Sequence, residues 1–110
     1  MKLPQLENAV VPAAKITGYL LSAKHRDGRH KAAFFTRFGF TIADIETLTA
    51  ALLRHAAEHE VAKSEVSPFG TRYVVEGELH TPDGRAPRLR VVWFIADGEV
   101  APTLVTAYPL

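Results

Sequence analysis

The chain has 110 residues, 47% hydrophobic and 23% charged, with a formal net charge of +1 from 13 basic and 12 acidic side chains. This balance suits a single globular domain over residues 1–110 and excludes extended disorder. Cysteine is absent, which excludes disulfides, thiolate metal sites and cysteine nucleophiles, and the even charge leaves only local clusters to speak for a polyanionic partner.

Residues 1–11 read as a lead-in segment whose Leu3, Leu6, Val10 and Val11 can dock on the body. Pro12 suits a first helical position, where its missing N–H costs nothing. Over Ala13 to Ser22, Ile16, Tyr19 and Leu20 share one helical face. Lys24 to Lys31 is a basic loop with Asp27-Gly28 as its turn, leading into a helix over Ala32 to Phe38. Phe34, Phe35 and Phe38 cluster at helical spacing, and Gly39 is a natural C-cap. A third helix is expected from Thr41, with Thr41 and Asp44 as a capping pair and Ile45, Leu48, Leu52 and Ala56 as its buried stripe, fading near His59.

The apolar period then changes to two. Val61 to Val66 reads as an edge strand and Ser67 to Gly70 as a turn. Arg72 to His80 is a strand with Tyr73, Val75 and Leu79 on one face and Arg72, Glu76, Glu78 and His80 on the other. Thr81 to Arg85 connects a hairpin, Arg88 to Ile95 carries Leu89, Val91, Trp93 and Ile95 inward, and Thr103 to Tyr108 closes the sheet. The fold class is therefore α+β: about three N-terminal helices packed on one face of a three- to four-stranded antiparallel β-meander.

No apolar run approaches a membrane span, and Met1 to Pro12 holds no secretion signal, so a cytoplasmic site of action without membrane association is expected. No phosphate loop, dinucleotide fingerprint, zincin helix or nucleophile elbow occurs, so no cofactor and no metal are expected. His55 and His59 have a chelating spacing, but no third ligand is evident. The densest polar feature is the basic loop, with Lys24, His25, Arg26, Arg29, His30 and Lys31 inside eight residues. Such a cluster can hold phosphates by charge and hydrogen bonding, and a histidine there can move protons near neutral pH. The outward residues of the sheet, including Arg72, Arg88 and Arg90, offer a second cationic surface, while Trp93 reads as core.

Three stretches resemble an uncharacterised bacterial family whose members occur alone and as C-terminal modules of polymorphic toxins. They are Leu20-Leu21-Ser22 through His25, Gly28, Lys31-Ala32, Phe34-Phe35 and Gly39; Pro68 to Tyr73 with Gly77 and Pro82-Asp83-Gly84; and Val92-Trp93 with Leu104 to Pro109. The helices-then-meander order also resembles the barnase, colicin-nuclease and RelE group of metal-independent ribonucleases. The resemblance implies a ribonuclease toxin acting on RNA, with transfer RNA among the candidate targets, neutralised by a cognate immunity protein or antitoxin. On these segments His25 becomes the general acid or base, Lys31 and Arg72 the phosphate clamps, and Thr106 the hydroxyl orienting the phosphate. Lys24, Arg29, Thr71 and Tyr73 become substrate contacts. The competing expectation is a non-catalytic interaction module, one half of a small two-protein system.

Overall fold

The computed structural model describes residues 1–26 and 28–110; Asp27, half of the expected turn, lies outside the described residues. Helix α1 (Ala13–Lys15) continues directly into a π-helical turn (Ile16–Leu20), followed by α2 (Arg29–Arg37) and α3 (Ile45–Glu58). Strands β1 (Val61–Ser67), β2 (Gly70–Glu78), β3 (Arg88–Ala96) and β4 (Thr103–Pro109) form one antiparallel sheet in the order β1-β2-β3-β4. The fold is the expected α+β arrangement, with the four-stranded form of the meander.

Inward residues of the sheet and the apolar stripes of the helices make one core. Val75, Leu79, Leu89, Val91, Trp93, Leu104 and Ala107 meet Ile16, Leu20, Phe35, Leu48, Leu52 and Ala56 there. The stripe expected for α3 holds, with Leu48, Leu52 and Ala56 buried and Ile45 packed at the margin. His55 is buried among these apolar groups. Its Nε2 lies 3.2 Å from the Gly77 carbonyl and 3.1 Å from that of Leu89. Carbonyls only accept, so Nε2 carries the proton and Nδ1 is buried without a partner among the described residues. Burial, the largest cause, lowers the pKa of His55. His59 points its Nε2 at the Glu78 carbonyl, 2.8 Å away. The two rings thus tie α3 to the sheet.

Several boundaries differ from the sequence expectations. Helix α3 begins at Ile45, not Thr41, because Asp44 is the better cap: its side chain accepts from the Thr47 N–H at 3.4 Å and the Thr47 hydroxyl at 2.6 Å. Helix α2 begins at Arg29, so Arg29, His30 and Lys31 belong to its first turn and not to a loop. Gly39, at φ +102°, ends that helix in a backbone region that favours glycine. Pro12 caps the first helix from extended backbone instead of opening it. The lead-in docks through Leu3, Leu6 and Val11, whereas Val10 stays exposed and bridges to β4 by backbone. Its N–H donates to the Pro102 carbonyl at 2.8 Å, and the Leu104 N–H donates back at 3.0 Å.

The largest local departure is the π-helical turn. The Leu21 N–H donates to the Ile16 carbonyl at 2.8 Å, a five-residue step that widens the turn. Ile16 and Leu20 are buried in the core, and Tyr19, half-buried, packs against it while its hydroxyl reaches toward β4.

Candidate functional site

Alternation along the strands puts Arg72, Val74 and Glu76 of β2, Arg90 and Val92 of β3, and Thr106 and Tyr108 of β4 on the sheet face turned away from α3. Val74 and Val92 are a buried floor beneath the longer polar side chains. At the β4 margin the first helices reach this face. The Tyr19 hydroxyl and Thr106 Oγ1 lie 3.0 Å apart. The His25 ring meets the Tyr19 ring edge-on at a centroid distance of 4.9 Å. Lys15 and Lys31 each place Nζ 5.5 Å from the Tyr19 ring centre, and Lys31 is also 5.7 Å from that of Tyr108.

An open pocket of about 610 Å³ results, lined by Pro12, Ala14, Lys15, Tyr19, His25, Val105 and Thr106. Three local features build it. The backbone bridge at Val10 holds Pro12 beside β4. A bulge in β4, where the register shifts between Val92 and Trp93, makes room for Val105 between Leu104 and Thr106, and Val105 turns to the pocket. Gly28, at the start of α2, donates its N–H to His25 Nδ1 at 2.9 Å and fixes the ring. An accepting Nδ1 holds no proton, so the neutral imidazole carries its hydrogen on Nε2.

A second hollow of about 330 Å³ continues along the same face, lined by Ala62, Lys63, Arg72, Val74, Glu76, Arg90 and Tyr108. Tyr108 lies at the edge of this hollow: Arg90 donates to its hydroxyl at 3.4 Å and stands 5.5 Å from its ring centre, and Lys31, which also stands beside Tyr19, lies 5.7 Å from that centre. Carboxylates temper the charge in the second hollow. Arg90 pairs with Glu76, and Glu65 lies 3.1 Å from Lys63 and 3.5 Å from Arg72. Lys63 first, then Arg72, holds the Glu65 carboxyl below its usual range. Lys15 and Lys31 make no ion pair with any described residue.

Of the residues singled out from sequence, His25 and Thr106 line one pocket, and Lys31 stands beside Tyr19 between that pocket and Tyr108. Arg72 lies in the adjoining hollow on the same face. Lys24 and Arg29 are exposed on the approach to α2. Thr71 and Tyr73 do not join the groove: they alternate with Arg72, and Tyr73 packs against the core. The sequence reading missed Lys15 and Tyr19. Helical periodicity placed Tyr19 against the core, where its ring packs, but gave no signal that its hydroxyl would meet Thr106 on the last strand. His55 and His59 bond to sheet carbonyls, and no cluster of three or more potential metal-ligating side chains occurs among the described residues. No helix among the described residues is long and apolar enough to cross a membrane.

The arrangement is similar to a solved structure. The chain matches one chain of a "Contact-dependent growth inhibition toxin - immunity protein complex from Klebsiella pneumoniae 342", with a TM-score of 0.72 at 17% identity, over 94% of this chain and 95% of that one. At that identity the likeness establishes a shared fold. No curated protein matches the chain. A family model matches residues 2–110, and on that match the chain belongs to the family of domains of unknown function DUF6883.

Proposed function

We propose that the protein is a metal-independent endoribonuclease serving as the toxin half of a toxin–immunity pair. The observation carrying this reading is the gathering of His25, Tyr19, Thr106 and Lys15 around one open pocket, with Lys31 beside the Tyr19 and Tyr108 rings and the Arg72–Arg90 hollow on the same sheet face. A sugar–phosphate backbone needs such a run of donors and cations. The similar chain comes from a toxin–immunity protein complex, which supports a protein partner for this fold.

In this reading the ribose 2′-hydroxyl gives up its proton to water as its oxygen attacks the adjacent 3′-phosphorus, the bond from phosphorus to the 5′-oxygen breaks, and that oxygen takes up a proton from water. Charge grows on the phosphate oxygens in the transition state, where positioned donors and cations act most strongly. Lys31 and Lys15 supply positive charge, and the Tyr19–Thr106 hydroxyl pair orients the phosphate. His25 serves as a hydrogen donor through Nε2, the role its bond from Gly28 favours. Arg72 and Arg90 track the neighbouring phosphate along the face.

The test is incubation of the purified protein with total RNA and with transfer RNA, with and without chelator. Chelator-insensitive cleavage is expected, falling about 100-fold or more in Lys31→Ala and His25→Ala variants that keep the wild-type far-UV spectrum. Undiminished cleavage in the His25→Ala/Lys31→Ala double variant would defeat the assignment. The competing interaction-module reading draws on β1, an edge strand whose own Val66 is 85% exposed and which is followed by Phe69, 77% exposed, in the turn to β2. It would prevail if the protein binds a partner tightly through β1 and leaves every RNA intact.

A further inference from the structure

The first pocket is not lined as a phosphate site alone. Its donors, His25, Tyr19 and Thr106, stand together, with the Tyr19 and Thr106 hydroxyls in contact. The rest of its lining is Pro12, Ala14 and Val105, small apolar surfaces, and Lys15, whose ammonium group stands 5.5 Å from the Tyr19 ring centre. Phosphate has no use for an apolar wall. A flat heteroaromatic ring does, and the wall is open to receive one: Ala14 is exposed and Val105 is 37% exposed. This wall is also a constructed feature. The Val10 bridge seats Pro12, and the β4 bulge re-aims Val105.

We infer that this wall is a nucleobase subsite beside the phosphate position, with Lys15 selecting bases that carry an oxygen, O4 of uracil or O6 of guanine, where cytosine and adenine carry an amino group. The inference rests on the ribonuclease reading above. An ammonium group donates only, so at this edge it favours O4 of uracil or O6 of guanine and opposes the amino group that cytosine carries at C4 and adenine at C6. The pocket, at about 610 Å³, has room for a nucleotide. Aromatic stacking on Tyr19 is not needed, since His25 meets that ring edge-on and both lysines stand near it.

The experiment is titration of the intact protein with the four 3′-mononucleotides and with inorganic phosphate, followed by amide chemical shifts. 3′-UMP and 3′-GMP should bind at least ten times more tightly than 3′-CMP, 3′-AMP and phosphate, with shifts at Ala14, Lys15 and Val105. Lys15→Met should bring the keto and amino nucleotides within about twofold of each other. Ala14→Trp, at an exposed helical position, should fill the wall and weaken 3′-UMP at least tenfold while phosphate still binds. Val105→Ser, on an exposed strand position, gives the same readout if the first variant misfolds. Nucleotides binding no better than phosphate overturn the base subsite, and equal binding of all four overturns the role of Lys15. RNA left uncut while 3′-UMP still binds at the wall would instead overturn the ribonuclease reading and keep the subsite.

Discussion

Replacing Gly28 with alanine sets two effects against each other. The backbone at Gly28 lies in the right-handed helical region, at φ −86° and ψ −19°, so alanine is conformationally welcome. On that ground alone, stability should rise by about 0.4–1 kcal/mol, through loss of freedom in the unfolded chain. The added methyl, however, would sit 2.2 Å from the Tyr19 carbonyl oxygen and 3.0 Å from the Tyr19 ring. The obstacle is backbone, which cannot rotate aside, so the start of α2 must move. Overpacking of this kind costs about 1–3 kcal/mol. Steric cost therefore wins, and the variant should be about 1–2 kcal/mol less stable, with a melting temperature lowered by roughly 4–12 °C for a domain of this size. The same displacement stretches the Gly28 N–H bond to His25 Nδ1, so RNA cleavage should fall further than the unfolded fraction accounts for. Urea titration, thermal melting and the RNA assay at a temperature where both proteins are folded provide the check. A variant as stable as the parent, or more so, would refute the reasoning.

Two further outcomes concern the frame around the site. Because burial holds the folded-state pKa of His55 below 6.5, the unfolded chain takes up that proton first. The contribution is complete above pH 6.5 and is lost below it, at up to about 1.4 kcal/mol per pH unit, until the folded-state pKa is reached. Urea midpoints should fall through this window and the fall should flatten in His55→Leu; an unchanged slope would contradict it. Asp44→Ala removes the cap of α3 and should cost about 0.5–2 kcal/mol in urea unfolding without altering RNA cleavage, because the cap lies outside the groove.

Much of the architecture was legible in the residue pattern because the forces behind it are local and periodic. The change from helical spacing through Leu48, Leu52 and Ala56 to alternation through Tyr73, Val75, Leu89, Val91 and Trp93 marks where helices give way to strands. Turn residues such as Pro82-Asp83-Gly84 mark the hairpin, and the same alternation puts Arg72 and Arg90 outward. The basic stretch around His25 and Lys31 was visible as composition. Boundaries were less legible where two residues competed for one role, as when Asp44 captured the N-cap from Thr41.

Only the tertiary structure decided which of these polar groups meet. Tyr19 and Thr106 are 87 residues apart in sequence, and no local pattern links them. Their contact needs the first helix, carried through its π-helical turn, to lie against the last strand, where the β4 bulge sets Val105 beside Thr106. Chain order and period therefore determined the layers and the faces of the sheet, because burial acts on each element alone. The pocket was decided by two local irregularities and a backbone bridge, because a site between elements depends on how each is turned against its neighbour.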